Sequence, residues 1–390
     1  MPRSYFTEEH ELFRKQVRTF AEKELAPHVD EWEEKGIFPR EIFQRAGELG
    51  ILGAHYPESV GGSGGDFWYS VVKAEELNRC GSAGVVLSLL VQADMCTPII
   101  NKIGSDWHKE HFLKPAIKGE KIGAIGVSEP NAGSDVAAIR TTAKKVGDEY
   151  VINGSKTYIT NGTRCDFITL LARTSDAPGY NGISMFLFPT DVKGYQVSKK
   201  LKKLGNLASD TAEIFFEDCK IPAKCLLGVE NMGFIYLMQN FQSERLIGAA
   251  AALAEGRRSL DKSIQYGKER HAFGKPLIKR EVWQHKFVDL YTRLEAAQAL
   301  CYKAAEAYNE DVYLKNGNPS METGKLVSMV KLLAGDVVSD IMDTCLQFHG
   351  GMGYLEELWV ARAFRDQRLL KIGGGTSEVM KYMIAKAMNL

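Results

Sequence analysis

Met232 to Ala254 reads MGFIYLMQNFQSERLIGAAAALA, and its only charged residues are the adjacent Glu244 and Arg245. The stretch is long enough to cross a bilayer, but Asn240, Gln242, Ser243, Glu244 and Arg245 crowd its centre, where each is costly in lipid. A buried helix of a soluble helical domain fits the pattern better. At helical spacing Glu244 shares a stripe with Leu237, Phe241, Ile247, Gly248 and Ala251. A carboxylate there costs free energy unless it is paired or used. Desolvation raises its pKa towards neutrality, which suits a general base. The alternative is a structural ion pair, although residues at i and i+1 do not face each other on a helix, so each needs its own partner. Small residues from Gly248 to Ala252 imply close packing against this helix.

Outward from that helix the pattern stays helical to the C-terminus. The runs are Met232 to about Arg270, Glu281 to about Tyr313, Glu322 to Gln347 and a short helix from about Ser377, which predicts a four-helix bundle. Towards the N-terminus the chain turns β-rich between Lys121 and Pro222, in short runs with turn signals at Gly147-Asp148, Asn153-Gly154, Asn161-Gly162 and Asn181-Gly182. These predict a compact antiparallel β domain. Before it the sequence is helical again: Thr7 is a capping residue, and Leu12, Phe13, Val17, Phe20, Ala21 and Leu25 mark one apolar face that Pro27 ends or bends. The organisation is therefore 1–120 helical, 121–228 β and 229–390 helical bundle, with no internal repeat.

At 390 residues, two or three packed modules are expected. Lys+Arg and Asp+Glu are both 49, so bulk charge gives no support for a nucleic-acid or polybasic membrane partner. The seven cysteines contain no C-x-x-C pair, which predicts reduced thiols rather than disulfides or zinc. The eight histidines lack metal-ligand spacing, so no metal is expected. The start, Met1 to Glu9, shows neither an apolar leader core nor a transit-peptide composition. A bacterial cytoplasm, or a mitochondrial matrix after processing, is the expected compartment.

Further segments carry candidate chemistry. Val127-Ser128-Glu129-Pro130-Asn131-Ala132-Gly133-Ser134-Asp135 builds a loop with exposed amides and hydroxyls, able to bond a heteroaromatic edge or a phosphate, or simply to turn between strands. Tyr158 and Thr160 would share one strand face, flanking and donating to a flat ring, before the Asn161-Gly162 turn. His349 to Tyr354 is a glycine-rich bend. Gly373-Gly374-Gly375-Thr376-Ser377 is another, with Thr376 or Ser377 able to cap the last helix.

Together, V-S-E-P-N-A-G-S-D, Y-I-T-N-G, E-R-H-A-F-G-K, Q-F-H-G-G-M-G-Y and G-G-T-S-E-V, in this order, resemble the acyl-CoA dehydrogenase family over essentially the whole chain. The resemblance implies an α-helical domain, a central β domain and a four-helix bundle, usually in a homotetramer. It implies FAD as cofactor, an acyl-CoA as substrate and an electron-transferring flavoprotein as acceptor. By position, Ile125, Val127, Ser128, Gly133 and Ser134 would contact the flavin and pyrophosphate, Tyr158 would flank the ring, Thr160 would bond near N5, and Ile159 would be a further cofactor contact. Many members carry Trp where Tyr158 stands. Arg270, Phe273, Gln347, Gly350 and Gly351 would hold the adenine and diphosphate across a subunit interface, with Thr376 and Glu378 at the last flavin contacts. Ser134, Phe241, Arg245, Gly374 and Gly375 would meet the substrate.

One departure is informative. Many members carry the catalytic Glu where this chain has Gly374. Isovaleryl-CoA and long-chain dehydrogenases instead place it in an E-R pair on the long helix, where Glu244-Arg245 stands; the sequence looks closest to the long-chain and citronellyl-CoA types. The implied reaction is α,β-dehydrogenation of a long-chain or methyl-branched acyl-CoA to the trans-2-enoyl-CoA, with Glu244 as α-proton base and hydride passing to flavin N5. A same-fold oxidase using oxygen, and a non-catalytic helical interaction protein, are the alternatives.

Overall fold

The computed structural model describes residues 5–390; the start of the leader reading, Met1 to Ser4, lies outside the described residues. Helices run from Glu8–Phe20 to Lys114–Ile117, a sheet occupies Gly123 to Pro222, and helices follow from Gly233 onward. Thr7 caps the first helix, with its Oγ1 accepting from His10 N at 3.4 Å. Leu12 does not share the apolar face: it points to solvent, 65% exposed, while Phe13, Val17, Phe20, Ala21 and Leu25 are buried. Pro27 does not end the run. It sits in a short 3-10 turn, Ala26–His28, that bends the chain into the helix Val29–Lys35. Among the described residues one helical run, Ala83–Ile103, is long and apolar enough to cross a membrane by length and composition, and its apolar 18-residue window is 83% buried inside the fold.

The sheet has seven strands: β1 (Gly123–Gly126), β2 (Thr142–Val146), β3 (Glu149–Thr160), β4 (Phe167–Arg173), β5 (Ile183–Pro189), β6 (Tyr195–Lys200) and β7 (Thr211–Pro222). They lie in the order β1-β4-β2-β3-β7-β6, with β5 also on β4. Most pairs are antiparallel, as expected, but β1 runs parallel to β4, and β2 meets β4 in parallel at Thr142 and Arg173. β6 was not visible in the sequence, since its side chains face solvent and carry no apolar alternation. Asn153-Gly154 is not a turn. It lies inside β3 at a register shift, where Gly154 has φ +145° and an added Cβ would fall 2.6 Å from Thr141 Oγ1.

The helical bundle is built on Gly233–Glu269, Glu281–Tyr308 and Met321–Phe348, joined by Ser377–Ala387 and by a helix not foreseen, Trp359–Gln367. A carboxylate joint ties all three regions together. Asp366 accepts from Asn206 N at 2.6 Å and from Ala83 N at 3.2 Å, and Glu33 accepts from Ser82 Oγ at 2.5 Å and Ala208 N at 3.3 Å. All seven cysteines are free and buried.

Candidate active site

The residues singled out in the sequence form three groups. The first lies at the end of β1. Glu129 accepts from Arg140 N at 2.6 Å, Thr141 N at 3.0 Å and Lys156 Nζ at 2.8 Å, and Lys156 is fully buried. Removing one partner of such a buried pair costs roughly 3–5 kcal/mol. This clamp, which sequence reasoning missed, fixes the loop against β3, where Thr157 N donates to Ser128 O at 2.9 Å. The loop then presents Gly133, with open space where a Cβ would stand, and exposed Ser134.

Tyr158 and Thr160 do not follow simple strand alternation. A register shift falls between Lys156 and Ile159, and Tyr158 takes φ +64° with its ring 69% exposed. A left-handed tyrosine costs free energy that local structure must offset, and such residues cluster at functional sites. Val127 and Ile159, by contrast, are buried.

The second group surrounds Glu244. Both Glu244 and Arg245 lie in the helix Gly233–Glu269, and only Arg245 finds a hydrogen-bond partner. Arg245 Nε donates to Gly374 O at 2.9 Å, and its guanidinium stands over Phe241. Glu244 Oε2 is enclosed and has no hydrogen-bond partner. Burial pushes the Glu244 carboxyl up to about 7, against the opposing pull of Arg245 and Lys331. One turn on, Gly248 has open space where a Cβ would stand. Gly374 and Gly375 have φ +66° and +102°, a region that favours glycine. Thr376 caps the last helix, with its Oγ1 accepting from Val379 N at 3.3 Å, and Glu378 lies in the first turn.

The third group lies at the far end of the bundle. Arg270, Gln347, Gly350 and Gly351 line one cleft with Tyr266 and Trp283. Phe273 is not in it. It stands 96% exposed at the tip of a hairpin between His271–Ala272 and Lys275–Pro276, with Arg280 Nη2 donating to its carbonyl at 3.1 Å. No hydrogen bond joins the three groups to one another among the described residues.

A flavin fits these features: a clamped loop with open amides, an exposed aromatic held off the strand pattern, and an unpartnered carboxylate beside open space. Comparison with known proteins agrees. Residues 7–120, 124–219 and 231–389 match the N-terminal, middle and C-terminal domain models of acyl-CoA dehydrogenase. The mitochondrial long-chain specific acyl-CoA dehydrogenase of Sus scrofa is 38% identical over 98% of this chain and 87% of its own. The mitochondrial short-chain specific enzyme of Rattus norvegicus is also 38% identical, over 97% of this chain and 89% of its own. A glutaryl-CoA dehydrogenase from Mycobacterium smegmatis, solved in complex with FADH2, superposes with a TM-score of 0.89 at 28% identity over 98% of this chain and 95% of that one. The chain belongs to the acyl-CoA dehydrogenase family, and it is an FAD-dependent oxidoreductase of acyl-CoA thioesters.

Proposed function

We propose that the chain dehydrogenates a long-chain or methyl-branched acyl-CoA between Cα and Cβ, with Glu244 as the base. The observation that carries this is the Glu244 carboxylate: its Oε2 enclosed, without a hydrogen-bond partner, raised to about 7, and next to the open space at Gly248. A carboxylate with these properties removes a weakly acidic α-proton near neutral pH. Bound FAD supplies the hydride acceptor. The Gly374 amide, which has no partner among the described residues, would donate to the thioester oxygen, where negative charge develops. Ser128, Ser134, Tyr158 and Thr160 would hold the cofactor on the sheet side.

Electron-transferring flavoprotein is the proposed acceptor. A homotetramer is also proposed, because Arg270 opens to a surface cleft and Phe273 projects from the subunit. An active, FAD-saturated monomer in sedimentation would contradict that assembly.

Anaerobic stopped-flow reduction with acyl-CoA tests the base. Glu244→Gln should stay folded and yellow, since the amide is nearly isosteric. Its reduction should slow by about 10²–10⁴-fold, about 3–5 kcal/mol of barrier. Reduction at the wild-type rate would make Glu244 structural.

A further inference from the structure

Lys331, on the helix Met321–Phe348, is 2% exposed and has no place in the motifs read from the sequence. Its Nζ donates to the Gly375 carbonyl. One residue earlier, the Gly374 carbonyl accepts from Arg245 Nε. Two successive carbonyls of a glycine loop therefore end on two buried cations from two different helices. A peptide unit is planar and trans, so fixing these two carbonyls fixes two peptide planes. Glycine has no side chain with which to hold such a loop by packing.

The surroundings give Lys331 a second task. Glu244 and Arg245 face it from the helix Gly233–Glu269, and Glu378 faces it from Ser377–Ala387. Five residues along its own helix, Asp336 is taken up by Lys371 at 2.8 Å. Burial pulls Lys331 down to about 8, with Arg245 acting in the same direction and the two glutamates opposing. It is still mostly a cation at neutral pH, and its field favours the carboxylate form of Glu244.

We propose that Lys331 is a positioning residue for the dehydrogenation: it holds the Gly375 carbonyl, and with it the loop that meets the thioester, while its charge stands opposite the Glu244 carboxylate. This rests on Glu244 being the base. A residue that merely filled space would affect stability alone. A positioning cation also shifts the pH profile.

The test compares Lys331→Met and Lys331→Arg in FAD-loaded enzyme, by stopped-flow reduction across pH 5.5 to about 9 with a saturating series of the best acyl-CoA. In Lys331→Met the limiting reduction rate should fall about 10-fold or more, with a smaller change in substrate affinity. The pH midpoint should move up, because removing a nearby cation raises a carboxyl pKa. Lys331→Arg should return the midpoint to the wild-type value and recover much of the rate. An unshifted midpoint in Lys331→Met would overturn the proposal. So would a Lys331→Arg variant about 10-fold slower than wild type with its midpoint moved up, and that comparison with wild type stands even where the methionine variant fails to fold. If Glu244→Gln is slow while Lys331→Met is unshifted, only the Lys331 inference fails. If Glu244→Gln reduces at the wild-type rate, the base assignment fails first.

Discussion

A Cβ built on Gly374 would lie 3.6 Å from Glu244 Oε1, so a side chain at 374 would start beside the Glu244 carboxylate. The two residues are far apart in the chain, and the Arg245 bond to the Gly374 carbonyl holds them together. At 374 this chain has the backbone alone, and the carboxylate beside it comes from the helix Gly233–Glu269.

That proximity predicts a second-site rescue. Adding Gly374→Glu to Glu244→Gln should restore part of the flavin reduction. Recovery should be incomplete, since φ +66° costs a non-glycine residue roughly 1–2 kcal/mol. Single-turnover reduction of the double variant provides the check. No gain over Glu244→Gln alone would mean that the two positions do not reach the same hydrogen.

The same carboxyl predicts the pH dependence of catalysis. Glu244 must be ionised to take a proton, and burial raises it to about 7. The second-order rate of flavin reduction should therefore climb with pH and level off above about 7. In Glu244→Gln the residual rate should show no such rise. A wild-type profile flat from pH 5.5 to about 8 would contradict the assignment.

Stability should show a titration of its own at the three-way joint. Burial and the neighbouring Glu33 push Asp366 up to about 7. Between the unfolded value near 4 and that folded value, the native state holds more protons than the unfolded state, so this group makes stability fall as pH rises. Asp366→Asn removes the charge and keeps one acceptor. In urea titrations its loss of stability between pH 5 and about 8 should be smaller than the wild-type loss. An equal loss in both proteins would remove Asp366 from the account.

Substrate preference follows from space. Gly248 borders an opening, and Gly373-Gly374-Gly375 adds no side chains to the loop facing Glu244. A panel of acyl-CoA thioesters should therefore give a higher kcat/KM for long or methyl-branched chains than for butyryl-CoA. Clear preference for butyryl-CoA would sink this expectation.

The sequence by itself determined the order helices, sheet, helices, because apolar period is a local property that each segment carries alone. It also singled out Glu244, since a charge on an apolar stripe is conspicuous wherever the helix packs. It misled at Asn153-Gly154, where a turn-forming pair serves a bulge because Thr141 packs against the backbone. It gave no sign of β6, whose exposed residues have no alternation to read. Only the tertiary structure decided what Glu244 and Arg245 do with their separate directions. Arg245 reaches a carbonyl contributed from position 374, and Glu244 is left unpartnered beside an opening. Lys331 and the Glu129–Lys156 clamp were invisible for the same reason. Each is an ordinary residue in its own segment and gains its role from a partner that only the folded chain brings within reach.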